Sequence, residues 1–436
     1  MRRSPVLVVG AAGLLALAIA RPARAQEPRS VTLAEAVELA LRSQPAIVQA
    51  REDVRVSDAQ QRQSMAAFLP SLTASGNTSK SSSTRIDATT GLPVTSLSQY
   101  SSTLGLNANW DLFTGLRRGA NRSAANATSD QRDATLRRQE YAIVLSTKQA
   151  FFQTLAYYAL VNVQQTRLRG ADEQLKLTSE RLRLGATTRS DSLRARVEYG
   201  NAQLALINAQ NNLRNAQANL ARAIQIDGLV MAAYDSALEA RLPALDTATL
   251  MREALAAAPA VREGDAAVTA ARASKNSFRS TYFPTISLGG GYNYAASDRL
   301  VWGGQYLPTW NFRLSFNYPL FNNLTREVNM TSADANVQTA VARARDARLS
   351  VSTGLTQYFA ALDAAAAKID VSRVSVAAAE EDLRMQRERY RLGAVTIIEV
   401  LTSQGNLDQA QVDLVQARYD YLVARAQIEA VVGHSL

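Results

Sequence analysis

The chain has 436 residues, no cysteine, a single histidine and a formal net charge of +10. Without cysteine there are no disulfides, no thiolate metal sites, no cysteine nucleophile and no lipid-modified N-terminal cysteine. The four arginines of residues 1–25, a stretch with no acidic residue, account for four of the charges. The remaining excess is mild and forms no long basic block, which argues against a nucleic-acid partner.

Residues 1–25 read as a secretory signal, with Arg2 and Arg3 as the basic start, Val6–Ala20 as the apolar run and Ala23-Arg24-Ala25 as the small-x-small cleavage site. Fifteen apolar residues are too few to span a bilayer. No later stretch approaches 18 uninterrupted apolar residues, because Lys368, Asp370 and Arg373 break the Ala-rich Asp363–Glu381. Next come a short amphipathic helix over Ser30–Arg42 and a second helix from Pro45 to about Phe68, with Ser43 as its expected cap. Leu69-Pro70 stops that second helix, since proline disfavours helical geometry in the residue before it.

The period then changes to 2. Leu104, Leu106, Ala108, Trp110 and Leu112 alternate with Gly105, Asn107, Asn109 and Asp111. A later copy alternates Trp310, Phe312, Leu314, Phe316, Tyr318 and Leu320 with Asn311, Arg313, Ser315 and Asn317. A weaker strand precedes each, Pro70–Thr78 and Pro284–Tyr294. Ser79–Gln99 and Ala295–Thr309, rich in Ser, Thr and Gly, read as exposed loops. Alternating strands of about ten residues with near-uncharged polar faces match the wall of a membrane barrel. The same alternation also suits a half-buried sheet in a soluble domain. Four strands cannot close a barrel, and an open edge in lipid leaves backbone groups unpaired. A barrel reading therefore requires several chains.

Long helices follow each strand pair, Leu116–Leu184 and Leu324–Leu392, roughly 100 Å each at 1.5 Å per residue. Each ends at a tight reversal. Glu388–Leu401 (ERYRLGAVTIIEVL) has a twin at Glu180–Leu193 (ERLRLGATTRSDSL), identical at 8 of 14 positions. Gly185 and Gly393 suit the left-handed residue past a helix end. Thr188 and Thr396 can cap the next helix, with Asp191 and Glu399 at the reciprocal capping-box position. On the way in, Val161, Leu168, Leu175 and Leu182 recur as a heptad matched by Ile369, Val376, Leu383 and Tyr390. On the way out, Ala202, Leu206, Ala209, Leu213, Ala216 and Leu220 keep a 4-3 spacing that needs a neighbouring helix. The chain thus divides into a first repeat over 26–228, a linker over 229–245 expected at mid-height, and a second repeat over 246–436. The shorter helices 45–68 and 191–226 are expected to stack end to end against one long helix.

The paired repeat, the junctions Leu112-Phe113-Thr114-Gly115 and Leu320-Phe321-Asn322-Asn323, and the tip Tyr390–Leu401 with Ala417–Leu422 resemble the TolC-type outer-membrane efflux proteins. The resemblance runs over roughly Ser30–Gly433. It implies a mostly α fold with transmembrane β: a homotrimer whose four strands per chain make a 12-stranded barrel above a coiled-coil tunnel through the periplasm. It also implies a periplasmic adaptor and an inner-membrane transporter as partners, and outer-membrane lipid around the barrel. Family members close the tunnel at the hairpin tips, and Asp191, Tyr390 and Glu399 match that pattern. Val395 stands where a basic gating residue would be and Thr402 where a second acid would be, so a single acidic ring from Glu399 is what carries over. Leu184, Gly185, Ala186, Thr188, Leu392, Gly393, Ala394 and Thr396 form the expected docking surface at the tips.

Plainer readings stand beside these. Asp191 and Glu399 are also first-turn acids favoured by the helix dipole, and Arg181, Arg183, Arg389 and Arg391 are cations suited to helix ends. His434 has no partners for a metal site. Gly289-Gly290-Gly291 sits in a strand pattern with no helix after it, unlike a phosphate loop. No catalytic set and no cofactor site is visible, and an enzyme is not expected. The expected function is a passive exit duct for small molecules or polypeptides in a tripartite efflux or type I secretion system. The rival is a secreted coiled-coil scaffold or adhesin without channel activity, and a nutrient porin is disfavoured by so much helix.

Overall fold

A computed structural model describes residues 29–95, 99–235, 245–298 and 306–436. The expected signal segment, the centre of the 229–245 linker and parts of the two strand–strand loops lie outside these residues. No helix among the described residues is long and apolar enough to cross a membrane.

The first repeat opens with β1 (Arg29–Val31), α1 (Leu33–Ser43) and α2 (Pro45–Ala66). The helix expected from Ser30 begins later, because Thr32 caps it: the Glu35 N–H donates to Thr32 Oγ1 at 3.3 Å. The residues before the cap are extended and pair in parallel with β6 (Val230–Ala232). Ser43 does not cap α2. It ends α1, and its hydroxyl donates to the Leu39 carbonyl at 2.6 Å and the Ile224 carbonyl at 3.3 Å. Gln44 takes the cap position without a side-chain bond to α2, and Pro45 is pre-set for the first turn.

Then come β2 (Ser71–Ser81), a small hairpin of β3 (Thr84–Ile86) and β4 (Pro93–Thr95) inside the expected loop, and β5 (Gln99–Phe113). The second repeat supplies α5 (Thr247–Ala257), α6 (Pro259–Arg279), β7 (Thr285–Asp298) and β8 (Leu307–Asn317). β8 stops short of Tyr318 and Leu320, because Pro319 has no N–H for the ladder. The strands form one antiparallel sheet in the order β2-β5-β7-β8, so among the described residues β2 and β8 each keep one unpaired edge. Register sorts the two faces. Leu72, Leu104, Leu106, Trp110, Leu288, Tyr292, Trp310, Phe312, Leu314 and Phe316 share one; Asn107, Asn109, Asn293, Asn311, Asp111 and Arg313 share the other. Neither face is covered. Ser102 and Ala296 are the only buried residues among those described in the sheet, while Trp310 is 78% and Phe312 69% exposed.

Each strand pair feeds a helix of 67 residues, α3 (Arg117–Arg183) and α7 (Thr325–Arg391), within one residue of expectation at either end. Both junctions are turns with two left-handed residues, Gly115-Leu116 (φ 63° and 67°) and Asn323-Leu324 (55° and 60°). The N–H of Arg117 donates to the Thr114 carbonyl, and that of Thr325 to the Asn322 carbonyl, both at 3.1 Å. A Cβ on Gly115 would sit 2.6 Å from the Ser280 carbonyl oxygen, so only glycine fits the first junction.

The return helices are α4 (Arg189–Ala223) and α8 (Ile397–Val432). The heptad seams are buried in part. Ala202, Ala209, Ala216 and Leu220 on α4 and Ala410, Ala417, Tyr421, Ala424 and Ile428 on α8 are buried. Leu206 and Leu213 on α4 and Leu168, Leu175, Leu182, Ile369 and Val376 on the incoming helices are only half-buried. The wall in pieces is also present. Gln44 Nε2 at the head of α2 donates to the Ala223 carbonyl at the tail of α4, so the end of one helix meets the start of the other. At the corresponding joint Gly433 lies against Pro259, whose ring would be 3.1 Å from an added Cβ. Two cores ring this height. One gathers Val31, Ala36, Phe151, Leu220, Ile224 and Val230, the other Leu250, Ala254, Leu355, Leu362, Ile428 and Val432.

Candidate functional site

The hairpin tips hold most of the candidate residues. α3 ends with the Ala186 N–H on the Arg181 carbonyl (2.8 Å) and the Gly185 N–H on the Leu182 carbonyl (3.0 Å). α7 repeats the pair, with Ala394 on Arg389 (2.9 Å) and Gly393 on Tyr390 (3.0 Å). This double closure needs a left-handed residue, and Gly185 (φ 71°) and Gly393 (φ 76°) supply it. Steric room is not the reason for glycine here. A Cβ at Gly185 would meet nothing within 4 Å, and one at Gly393 only the Arg181 guanidinium at 3.9 Å.

The next helices start as expected. At α4 the box is complete: the Asp191 N–H donates to Thr188 Oγ1 (3.2 Å), and the Asp191 carboxylate accepts from the Thr188 hydroxyl (2.8 Å) and the Thr187 hydroxyl (2.9 Å). The Thr188 hydroxyl, then the Thr187 hydroxyl and the Thr188 N–H, hold the Asp191 pKa below the usual carboxylate range. At α8 the Thr396 N–H donates to Glu399 Oε1 at 3.5 Å, and Glu399 is otherwise exposed. Leu184 (72%) and Leu392 (83%) are among the most exposed apolar side chains, with Ala186, Ala394, Thr188 and Thr396 open beside them.

Tyr390 is buried in a cluster with Leu383, Ile397, Val400 and Leu407 of its own hairpin and Ala195 of the other. Its hydroxyl has no hydrogen-bond partner among the described residues, so it does not meet Asp191, which is spent on its cap. Arg181 engages Tyr390 instead. The guanidinium lies 4.8 Å from the ring centroid and donates to the Tyr390 carbonyl. A cation from the end of α3 thus satisfies a carbonyl at the end of α7, joining the two hairpins at their tips. Its sequence twin Arg389 only reaches Gln386 on its own helix, at 3.4 Å.

A second bridge stands a few turns above. Arg167 on α3 pairs with Glu198 on α4 (2.8 Å) and with buried Asp408 on α8 (3.0 Å). Gln404 donates to Asp408 at 2.9 Å and accepts from Arg387 on α7 at 2.8 Å. Gly170 leaves the room for this, since its Cβ would be 3.0 Å from the Arg387 guanidinium. Burial pushes the Asp408 carboxyl up, against the opposing pull of Gln404 and Arg167. The sequence reading missed this bridge; its one signal is a polar run, Ser403-Gln404 and Asp408, set around the apolar seam of α8. The described residues hold no cluster of His, Cys, Asp and Glu able to take a metal.

A family model described as outer membrane efflux protein matches residues 36–224 and 250–434, nearly the whole of both repeats. The chain belongs to the outer membrane efflux protein family. It is an exit channel of the outer membrane whose helical part extends into the periplasm. Among relatives, the efflux protein is 26% identical over 391 residues to the probable efflux pump outer membrane protein TtgC of Pseudomonas putida, covering 86% of this chain and 77% of that one. It is 24% identical over 403 residues to the outer membrane efflux protein BepC of Brucella suis, covering 92% and 84%. A crystal structure of CusC, described as forming a transmembrane channel, superposes with a TM-score of 0.78 at 21% identity over 92% of each chain. The helix-rich chain with its one four-stranded sheet is therefore the fold of this family's channels.

Proposed function

We propose that three copies of this efflux protein close a 12-stranded barrel on a helical tunnel and serve as the passive exit duct of a tripartite export system. The supporting observation is the sheet. Its apolar face, with Trp310, Phe312, Leu314 and Phe316, is covered by no other described residue, and both edges are unpaired among the described residues. Lipid suits the face and sister strands suit the edges. A soluble scaffold would have to bury this face, and it does not.

The helices support the same assembly. Leu193, Val197, Leu204 and Ile207 make an exposed stripe on α4, and Val371, Val374 and Met385 another on α7. Counted from the tips at about 1.5 Å per residue, both stripes lie within roughly the lowest 30 Å. Matching heights let α4 of one copy pack against α7 of the next. The asparagines of the other sheet face then line a polar lumen. Residues 26–228 and 246–436 act as two equivalent halves of each protomer, joined by the 229–245 linker.

In this reading a periplasmic adaptor docks on the exposed tips at Leu184, Gly185, Ala186, Thr188, Leu392, Gly393, Ala394 and Thr396, and an inner-membrane transporter supplies the energy. Small molecules or polypeptides are the cargo. The tips are the gate: Tyr390 anchors it through Arg181, Asp191 shapes the turn and Glu399 presents its charge at the constriction. Detergent-extracted protein is expected to run as a trimer and to conduct in planar bilayers. Leu204→Glu, which puts a charge into the stripe, should break the trimer. A water-soluble, monomeric mature chain would overturn the proposal.

A further inference from the structure

The two strand-to-helix junctions are copies of one design, yet only one of them is basic. In the first, Arg118 donates to the Leu112 carbonyl at 2.9 Å, and its guanidinium lies 5.0 Å from the Phe68 ring centroid. In the second, Arg326 donates to the Pro319 carbonyl at 3.2 Å and lies 5.0 Å from the Tyr282 ring. Beyond this shared pair the copies diverge. Arg122, one turn past Arg118, is matched by Met330, and Gly119 by Glu327. Arg279, at the end of α6, is matched by Met65 at the end of α2.

The first junction encloses a cleft between the start of α3 and the end of α6. Phe68, Phe113, Leu116 and Phe283 give it apolar walls, Arg118 and Arg279 its charge, and no acidic residue lines it. Arg118 is committed to carbonyls, but Arg279 has no hydrogen-bond or ion-pair partner among the described residues. The cleft adjoins the apolar face of the sheet through Phe68. Trp110 belongs to the apolar face, and its indole N–H donates to the Phe68 carbonyl at 3.0 Å. It also stands where the strands end and the long helix begins, which the barrel reading puts at the level of headgroups on the periplasmic side.

We propose that this cleft binds one anionic phospholipid per chain, an acyl chain lying along Phe68, Leu116 and Phe283 and the phosphate resting on Arg279. Arginine suits the role because its guanidinium matches a phosphate's oxygens in a bidentate contact. An apolar wall ending in a free cation matches an amphiphile rather than a bare anion. The inference rests on the outer-membrane placement of the family and on the barrel reading above, which turns the apolar face of the sheet to lipid; it does not need the gate.

Native mass spectrometry of the protein extracted in mild detergent tests it, with phosphatidylglycerol, phosphatidylethanolamine and inorganic phosphate as separate titrants. One phosphatidylglycerol adduct per chain is expected, bound about tenfold more tightly than phosphatidylethanolamine, the scale of one charge-assisted contact. Arg279→Met, which installs the residue matched in the other repeat, should abolish that preference, and Arg279→Lys should keep most of it. Equal binding of the two lipids, a preference that survives in Arg279→Met, or phosphate alone binding as tightly as the lipid would each overturn the proposal. Wild-type protein without bilayer conductance would count against the duct and leave the adduct count standing.

Discussion

Arg181→Ala is the sharpest test of how the tips are held together. The side chain supplies a charge-assisted hydrogen bond to the Tyr390 carbonyl and a cation placed on the Tyr390 ring. Contacts of these kinds contribute about 1.5–3 and about 0.5–1 kcal/mol. Arg181 is partly exposed, so water replaces some of what is lost. A net loss of about 2 kcal/mol is a fair figure, and it corresponds to roughly a 30-fold shift between joined and parted hairpins. In planar bilayers the variant should open far more often than the parent channel. Amide exchange of 186–196 and 390–400 should quicken in the same proportion. Arg389→Ala is the internal control. Its residue has the same sequence context but only an exposed contact on its own helix, so the change should stay within about 0.5 kcal/mol. Equal behaviour of the two variants would refute the reasoning, because charge at the helix ends would then account for both.

Three further outcomes follow from the same geometry. Tyr390→Phe removes a buried hydroxyl that lacks a partner, so closure should be unchanged or firmer by up to about 1 kcal/mol, read as open probability; a leaky channel would contradict it. Asp408 has a folded pKa above its unfolded value, so the stability it contributes is fully present below the unfolded value of 3.8 and is lost as pH rises through the folded one. Thermal unfolding should therefore show Asp408→Asn more stable than the parent near about pH 7, with the gap closing towards about pH 4. At Gly185, where an added side chain has open space but the wrong φ, Asn should cost well under the roughly 1–2 kcal/mol expected for Val. Denaturant midpoints of the two variants give that comparison.

Local signals made much of this fold legible. Heptads located both hairpins, because a seam buried along a long helix repeats its residue type every turn or two. Gly185 and Gly393, followed by Thr188 and Thr396, marked the reversals, because a left-handed closure and a cap each demand a residue type at a fixed offset. Period-2 runs found the four strands, though Pro319 ended β8 three residues before the alternation did. Features built from distant residues stayed hidden. Nothing in Arg29-Ser30-Val31 announces its pairing with Val230–Ala232, some two hundred positions away. Ser43 looked like a cap and instead serves the tail of α4 through Ile224. Arg181 and Arg389 occupy the same place in the same motif, yet only the first reaches across. The twofold repeat is in the sequence; its breakage at the tip arises where two unlike surfaces meet.

In the proposed trimer, the joint at Gln44 and Ala223 sets how the cylinder can deform. α3 and α7 run unbroken from sheet to tip, whereas the helices between them are segmented at a single latitude, butted end on end and pinned by a few side-chain bonds. A twist applied at the bottom can unwind α4 and α8 about these two stays and be absorbed at the segmentation. The strands above would then feel none of it, and a pore could change aperture at one end while its opposite mouth keeps a fixed bore.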